Sequence, residues 1–437
     1  MTRPAVLAAL LAAGAASAAS PALAAPALLA HQAPLALDPA ATAWVLTSTA
    51  LVLLMTLPGL ALFYGGMVRK KNIISVIAQS AAAFAIVSVL WFLVGYSLSF
   101  GKGPDAVNGF VGGLQAAFLN GVTMQTAHSL LPGLPELLFV SFQMTFAIIT
   151  PALIAGAFAE RMKFSASLLF FALWHLIVYA PICHQVWGGG WLGGLGVLDF
   201  AGGAVVHVNA GVAGLVCALV LGPRHGFGRD NMAPANLVYS AIGTGLLLVG
   251  WLGFNAGSAG AADALAATAA FNTILAAGAA ALGWMTIEWF DRKRPTLLGL
   301  LSGVVGGLVA ITPAAGFVDP KGAFFIGLIG GPACYAGAVW LKHALKYDDS
   351  LDAFGVHGVG GIVGALLTGV FATTTVNALS EGATVWKQAV GLVGVIAWSA
   401  VGTFVVLMIC KFTTGLRVTK DEEVEGLDYT QHGEAIH

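Results

Sequence analysis

The chain has 437 residues, of which 58% are hydrophobic and only 9% are charged, and its mean hydropathy is +0.88. Soluble domains carry roughly 25% charged residues, so this composition is typical of a polytopic membrane protein. A net charge of −1 offers no basic surface and excludes a nucleic-acid-binding protein. The four scattered cysteines, Cys183, Cys217, Cys334 and Cys410, lack the spacing of a metal site and are expected to be small core residues.

Residues 1–24 resemble a secretory signal peptide. Arg3 precedes an apolar stretch at 6–16, and the small residues Ala22 and Ala24 suit a cleavage site. Cleavage would leave the mature N-terminus outside. An uncleaved extra helix is the alternative interpretation, although the stretch is short for a membrane span.

Eleven apolar runs of about 20 residues, the length that crosses a bilayer, follow along the chain. They lie at 43–67, 73–100, 133–159, 165–187, 203–222, 235–256, 266–290, 296–313, 322–341, 354–372 and 389–412. The predicted fold is therefore all-α, with a transmembrane domain at 25–414 and a polar tail at 415–437.

The basic residues of the connecting segments predict the orientation, because cytoplasmic loops are enriched in Lys and Arg. Alternate connections and the tail together hold 15 basic residues, whereas the opposite side has only Lys102, Lys321 and Lys387. With an odd number of spans, the N-terminus is expected outside and the tail in the cytoplasm.

Two histidines stand in the same frame within uncharged spans. The frames are His207-x-x-x-Gly211-x-x-Gly214 in the fifth span and His357-x-x-x-Gly361-x-x-Gly364 in the tenth. An ionisable side chain at membrane depth is costly, which makes function the favoured interpretation over a hydrogen-bonded core residue. The two glycines of each frame lie on the histidine face of a helix and allow close helix packing.

A second repeated frame supports an internal duplication. The first span contains Gly59-x-x-x-Phe63-x-x-Gly66, and the sixth contains Gly250-x-x-x-Phe254-x-x-Gly257. Five spans in each half is an odd number, so the halves must be inverted and an eleventh helix follows them. Inverted repeats place the substrate path at their interface near the midplane, where the two histidines should face each other.

The path between the halves is expected to be poor in charge. Acidic residues occur only near span ends, so an alkali cation would find nothing to replace its hydration shell. The permeant species should be neutral or become neutral inside, and imidazoles can relay its proton. Ligation of haem by the two histidines is a rival interpretation, disfavoured because no basic residue nearby suits the propionates. No cofactor and no enzymatic activity are predicted.

Aromatic residues near the outer span ends suggest a cation-gathering mouth. The candidates are Phe142 and Phe146 in the third span, Trp174 in the fourth, and Trp251 and Phe254 in the sixth. Each aromatic face attracts a cation by about 0.5–2 kcal/mol, although a core or interfacial-belt role is the alternative for each ring. Asp199 is expected to cap the helix of His207 and to favour cations nearby, and Asp352 to cap that of His357.

Several stretches, in this order, resemble the ammonium transporters of the Amt, methylammonium permease and Rhesus family. They are residues 58–66 (PGLALFYGG), 142–150 (FQMTFAIIT), 199–203 (DFAGG), 206–209 (VHVN), 250–260 (GWLGFNAGSAG) and 354–358 (FGVHG). The likeness extends from about Trp44 to Glu434, and the loop at 101–132 is its least similar part. It implies a homotrimer in the bacterial inner membrane, with one pore per subunit, that takes up ammonium and methylammonium from the periplasm.

The resemblance also implies roles for individual residues. Phe142, Phe146, Trp174 and Ser258 look like the outer ammonium-binding site, and Phe146 with Phe254 looks like the stacked pair that closes the pore below it. His207 and His357 look like the twin histidines that conduct ammonia after the cation loses its proton. Asp199 resembles the carboxylate that supports recruitment and deprotonation. A Rhesus-type gas channel is the less favoured alternative.

The tail after Gly415 allows two interpretations. Its composition favours a solvated, acidic segment, whereas residues 415–418 (GLRV), 425–428 (EGLD) and 432–434 (HGE) are similar to the family's bacterial C-terminal region. There a trimeric PII-type signal protein docks on the cytoplasmic face. A sensor that signals through this tail is therefore the alternative function.

Overall fold

The computed structural model describes residues 36–436, and the predicted signal peptide at 1–24 lies outside them. Eleven apolar helices account for most of the described chain, in agreement with the predicted spans. They are α1 (Pro39–Met67), α2 (Lys70–Phe100), α3 (Glu136–Phe158), α4 (Phe164–Leu195), α5 (Gly203–Leu221), α6 (Leu237–Gly257), α7 (Ala264–Arg292), α8 (Leu297–Ile311), α9 (Pro320–Leu345), α10 (Phe354–Phe371) and α11 (Val385–Thr413). Within 36–436 the only β-type pairings are two isolated bridges.

Ten of these helices are long enough to cross a bilayer, and α8 is the short one with 15 residues. At 1.5 Å per residue α8 covers about 22 Å, less than the hydrocarbon core. Beyond its last residue the chain continues into buried turns, where Ala314, Ala315 and Val318 are fully buried. The eighth crossing is thus completed by an irregular segment that is buried in protein, as a bilayer requires.

Side-chain caps begin many of the helices. Asp38, Asn236, Asp263, Thr296, Asp319 and Thr384 each accept a hydrogen bond from a backbone N–H in the first turn of the helix that follows. Such caps satisfy N–H groups that have no partner within the helix. At these six helices the polar residue before the apolar run therefore determines where the span starts.

The two halves run in opposite directions, as the repeated frames predicted. A Cβ atom on Gly211 of α5 would lie 2.2 Å from the backbone nitrogen of Gly358, and one on Gly361 of α10 would lie 3.1 Å from that of Val208. In each case the glycine four residues after one histidine packs on the residue that follows the other histidine. The two contacts are reciprocal, so α5 and α10 are antiparallel where they cross. This crossing brings the helical turns that carry the two histidines together.

Helices α1 and α6, the first of each half, are likewise antiparallel. Gly243 of α6 lies against Phe63, whereas Gly257, further along α6, lies against Ser48, which comes earlier in α1. Both contacts leave no space for a Cβ atom, which explains the density of glycine at these helix crossings. All four cysteines are buried, as expected of small core residues.

Helix α10 is capped by Asp349 and not by Asp352, which corrects the sequence prediction. Asp349 accepts hydrogen bonds from the backbone N–H groups of Ala353 and Phe354 at 3.0 and 2.7 Å, whereas Asp352 pairs with Lys342. Asp349 precedes His357 by eight residues, the same spacing as between Asp199 and His207. The cap therefore belongs to the internal repeat.

The tail docks on the membrane domain instead of extending into solvent. Two short helices, α12 (Lys420–Glu425) and α13 (Leu427–His432), follow a β-bridge between Met162 and Arg417. Leu427 and Asp428 are buried. We call the side of the molecule that carries this tail the tail face and the opposite side the distal face.

Candidate functional site

His207 and His357 meet in the centre of the protein. Their Nδ1 atoms are 3.3 Å apart, and their rings are nearly parallel, at 16° with centroids 5.3 Å apart. Both side chains are buried. One Nδ1 must donate its proton to the other in this contact, so the neutral pair holds opposite tautomers. One Nε2 of the pair then carries a proton and the other is an acceptor.

The local backbone explains this position. Gly203–Val208 and Phe354–Gly358 both form widened π-type turns at the beginning of α5 and α10, a feature often found at functional sites. On the distal side, Trp251 stacks on the His207 ring at 5.2 Å and 18°, and its Nε1 donates to Thr312 Oγ1 at 2.8 Å. The indole therefore holds the orientation of His207.

A narrow chamber adjoins the two imidazoles. Its volume is about 10 Å³, barely the space of one water-sized molecule. Besides the two histidines, it is lined by the apolar or aromatic side chains of Leu60, Phe63, Ile149, Leu153, Leu247, Trp251 and Val305. The imidazole nitrogens are therefore the polar side-chain groups that this chamber offers.

Two phenylalanines separate the histidines from the distal face. The rings of Phe146 and Phe254 lie 4.2 Å apart at 31°, and Phe254 is 5.9 Å from the His207 ring. Phe142 makes an edge contact with Phe146 at 5.0 Å. The aromatic pair thus closes the route at the point where it approaches the imidazoles.

Above this pair lies a cavity of about 540 Å³ on the distal face, which we call the distal cavity. Phe142, Trp187, Asp199 and Ser258 contribute to its lining. Ser258 Oγ donates to the carbonyl of Phe254 at 2.8 Å, so its lone pairs can accept from a ligand. Trp187 makes a perpendicular contact with Phe146 at 6.0 Å.

The tryptophan of the distal cavity is Trp187, and the structure places Trp174 elsewhere. Trp174 is fully buried, stacks on Phe170 and donates from Nε1 to Thr403 Oγ1 at 2.9 Å. It lies ten residues into α4, which starts at the tail face, so it is about 15 Å from that face. The basic residues before α4 already carried this signal, because they placed its beginning on the tail side.

Asp199 caps the histidine turn from below the distal cavity. Its two carboxylate oxygens accept the backbone N–H groups of residues 202–205 at 2.6–3.0 Å. Burial raises the pKa of this carboxyl, and the four N–H groups oppose that rise. Its carbonyl also accepts the Nε1 proton of Trp187 at 2.9 Å. Asp199 thus holds both the first turn of α5, which carries His207, and the side chain of Trp187.

An ion-pair network on the tail face was not predicted from the sequence. Glu160 pairs with Arg69 and Arg224 at 2.7 and 3.2 Å, and Arg224 also pairs with Asp348 at 2.8 Å. Burial alone would raise the pKa of Glu160, but the two arginines outweigh it and hold that pKa below its ordinary value. The network joins four segments that are distant in sequence, so sequence spacing gave no signal for it.

Within residues 36–436 no group of three or more His, Cys, Asp or Glu side chains is arranged to hold a metal ion. The donor set at the centre of the molecule is a pair of imidazoles in a hydrocarbon surrounding. This arrangement suits hydrogen bonding and proton relay to a small molecule.

Comparison with known proteins agrees with this geometry. Residues 43–436 match the sequence model of the Ammonium Transporter Family. The chain is similar to an ammonium transporter of Bacillus subtilis, with 49% identity over 89% of this chain and 96% of that protein. It is 48% identical to an ammonium transporter of Aquifex aeolicus, over 92% of this chain and 94% of the other.

Solved structures have the same fold. The crystal structure of Saccharomyces cerevisiae Mep2 superposes with a TM-score of 0.82 at 38% identity and covers 88% of this chain and 89% of that one. A structure described as a sensor Amt protein gives a TM-score of 0.82 at 31% identity, with 90% and 98% covered. The sequence matches and the shared fold together show that this chain belongs to the ammonium transporter family.

Proposed function

We propose that the protein takes up ammonium by binding the cation in the distal cavity, removing its proton and passing ammonia along the two histidines. The observation that supports this proposal is a series of successive contacts that connects the distal cavity to the two histidines. The distal cavity leads to the Phe146–Phe254 pair, then to the histidine pair and then to the water-sized chamber.

Cation binding at the base of the distal cavity rests on three kinds of group. The faces of Phe142, Phe146 and Trp187 attract a cation through their quadrupoles, and Ser258 Oγ can accept an N–H bond. The buried carboxylate of Asp199 adds negative charge nearby without losing its backbone partners. We assign the tryptophan of this site to Trp187 in place of Trp174.

Loss of the proton follows from the chamber beyond the aromatic pair. A permanent cation there would meet hydrocarbon and neutral imidazoles in a space too small for its hydration shell. Ammonium can shed its charge, whereas sodium and potassium cannot, which gives selectivity without a ring of ligands. The imidazole pair offers one donor and one acceptor Nε2, so it can also carry the released proton.

Currents recorded on a solid-supported membrane during an ammonium pulse test this mechanism. We expect a sustained current with the unmodified protein and none with His207→Ala, while His343→Ala, whose histidine lies away from the chamber on the tail side of α9, behaves as unmodified. Measured ammonia flux without current would mean a passive channel. Ordinary uptake by a folded His207→Ala protein would reject the role of the histidine pair.

We also propose an assembly and an orientation. The protein is proposed to form a homotrimer in the bacterial inner membrane, with the distal face periplasmic and the tail face cytoplasmic. The excess of basic residues on the tail face supports this orientation. Native mass spectrometry of the purified protein should give three times the monomer mass.

Methylammonium should compete with ammonium for the same path. The signal peptide at 1–24 is proposed from the sequence only.

A sensor that signals through its tail is the second candidate. Two observations favour it: the tail is docked on the beginning of α2 and on the loop after α5, and a structural relative is described as a sensor Amt protein. In either role we propose that a PII-type protein binds at the tail face. A pull-down with and without residues 415–437 tests this partner, and recovery of the PII protein by the truncated chain would reject docking through the tail.

A further inference from the structure

The distal cavity is much larger than the cation that the proposed function assigns to it. Its volume is about 540 Å³, whereas a water-sized species needs about 10–15 Å³ of such space. Cavities of about 300–1,000 Å³ are typical of sites for drug-sized molecules. Most of this cavity therefore lies beyond the groups that bind the ammonium ion.

The wall of this surplus space is mainly apolar, with Gln143 and Asn377 as polar side chains beside the apolar ones. One side is formed by the end of α2, the loop before α3 and the first turn of α3, through Phe100, Leu130, Leu131 and Phe139. Leu265, Phe317 and Leu379 also line the cavity. An apolar wall next to a cation-binding floor matches the two ends of an organic ammonium ion.

The wall is packed before any ligand arrives. His128 lies flat on Phe139 with ring centroids 4.3 Å apart at 6°, and Phe100 makes an edge contact with Phe139 at 4.9 Å. Leu131 fills the space beside Gly260, where a Cβ atom would be 2.3 Å from its Cδ2. A preformed wall avoids the entropy of ordering loops on binding, so contact with it can add directly to affinity.

We propose that the distal cavity binds primary ammonium ions that carry a short hydrocarbon tail, and that these ions block uptake. The ammonium group takes the position of the transported cation, beside Trp187 and Ser258, and the tail lies on the wall formed by Phe139 and Leu131. Such an ion cannot advance, because the Phe146–Phe254 pair and the 10 Å³ chamber exclude its tail. The inference rests on the proposed site for ammonium.

The test is a series of n-alkylammonium ions on the unmodified protein in proteoliposomes, at neutral pH, with uptake of labelled methylammonium as the readout. Burial of one methylene strengthens binding about threefold to fourfold. The inhibition constant should therefore fall about tenfold from propylammonium to pentylammonium. 1-Pentanol, which has the tail without the charge, should inhibit far less. An inhibition constant that does not change with chain length overturns the proposal.

Two variants in the same loop locate the tail. Leu131→Asn places a polar group in the wall and should weaken inhibition by pentylammonium about fivefold while propylammonium changes less. Leu114→Asn is the matched control, because Leu114 is an exposed leucine of this loop outside the cavity lining. Equal inhibition constants in Leu131→Asn and Leu114→Asn would contradict the assigned wall.

Failure of the proposed function can be told apart from failure of this inference. If a folded protein shows no uptake at all, the transport proposal fails, and calorimetric titration of purified protein with the same ions then tests the cavity directly. Binding that strengthens with chain length would keep the inference, and a titration without such a trend would reject it. If uptake is normal but insensitive to pentylammonium, only the inference fails.

Discussion

Residues of the same type have different roles in this protein, because the fold places them in different surroundings. Trp174 and Trp187 belong to the same helical segment, yet one is a fully buried packing residue and the other lines the distal cavity. Their contacts give the two tryptophans different roles. Trp174 donates to Thr403, whereas Trp187 faces Phe146 and is held by the carbonyl of Asp199.

Replacing each tryptophan by leucine separates the two roles. Trp187→Leu removes an aromatic face worth about 0.5–2 kcal/mol to a cation, so the apparent affinity for ammonium should fall roughly twofold to thirtyfold. Trp174→Leu should lower the thermal stability and leave the apparent affinity nearly unchanged. Concentration dependence of the transport current measures the first effect, and a melting curve measures the second. Equal affinity losses in both variants would contradict the assignment of Trp187.

At the scale of helices, the histidine pair depends on close packing between α5 and α10. Gly211 and Gly361, each four residues after its histidine, have no side chain that would hold the two helices apart. Asp199 and Asp349, each eight residues before its histidine, hold the first turns of the same helices through backbone N–H groups. Position and register of the imidazoles are thus set by glycine contacts and carboxylate caps together.

Gly211→Ala should disturb this arrangement. The new methyl group would meet the backbone of Gly358 at about 2.2 Å, so the helices must separate, at a cost of about 1–3 kcal/mol. The imidazoles then lose their 3.3 Å contact, and ammonium uptake should fall at least about tenfold. Gly278→Ala on α7, where no atom lies within 4 Å of the added Cβ, is the control. Unimpaired uptake by Gly211→Ala would refute the packing argument.

For the whole molecule, the tail face holds distant segments together through polar contacts. Glu160 links the connection after α1 to the connection after α5, and Asp348 extends the network to the connection before α10. The tail adds to it, because Glu423 accepts the backbone N–H of His225 at 2.6 Å and pairs with Arg417 at 2.7 Å. The arrangement of the helices on this face is therefore coupled to the position of the tail.

Glu160→Gln should destabilise the protein by about 3–5 kcal/mol at neutral pH, because it removes the buried carboxylate that pairs with Arg69 and leaves Arg224 with Asp348 as its remaining acidic partner. The pKa of Glu160 is held below its ordinary value of 4.5. The stabilisation of the protein by ionised Glu160 is accordingly complete above pH 4.5 and is lost as the pH falls through the lowered pKa. Melting temperatures of the two proteins should thus converge in strong acid. A difference that grows as the pH falls would contradict the network.

Asp428→Ala should release the end of the tail. The carboxylate accepts the backbone N–H of Ser75 at 2.8 Å in a buried position, and leaving that group unpaired costs about 1–3 kcal/mol. Hydrogen exchange in α13 should become faster, while Asp421→Ala, an exposed change on α12, should leave it unaltered. Unchanged protection of α13 in Asp428→Ala would mean that other contacts hold the tail.

Much of this fold follows from the sequence for simple reasons. A bilayer requires about 20 apolar residues for each helical crossing, so the runs of uncharged residues determined eleven spans, with even the short α8 in its place. Matching frames around His207 and His357 determined an inverted duplication, and an interface between inverted halves necessarily brings equivalent positions face to face.

Other features were decided by the tertiary structure only. Side-chain periodicity does not say which tryptophan of a long helical segment reaches a cavity, which of two nearby aspartates caps a helix, or whether an acidic tail stays in solvent. Trp187, Asp349 and Asp428 obtain their roles from partners on other segments or from the exact turn of the backbone, and the Asp428–Ser75 bond spans 353 residues. Spacing along the chain is informative where hydrophobic burial dominates. Directional hydrogen bonds between distant segments appear only once the helices are packed.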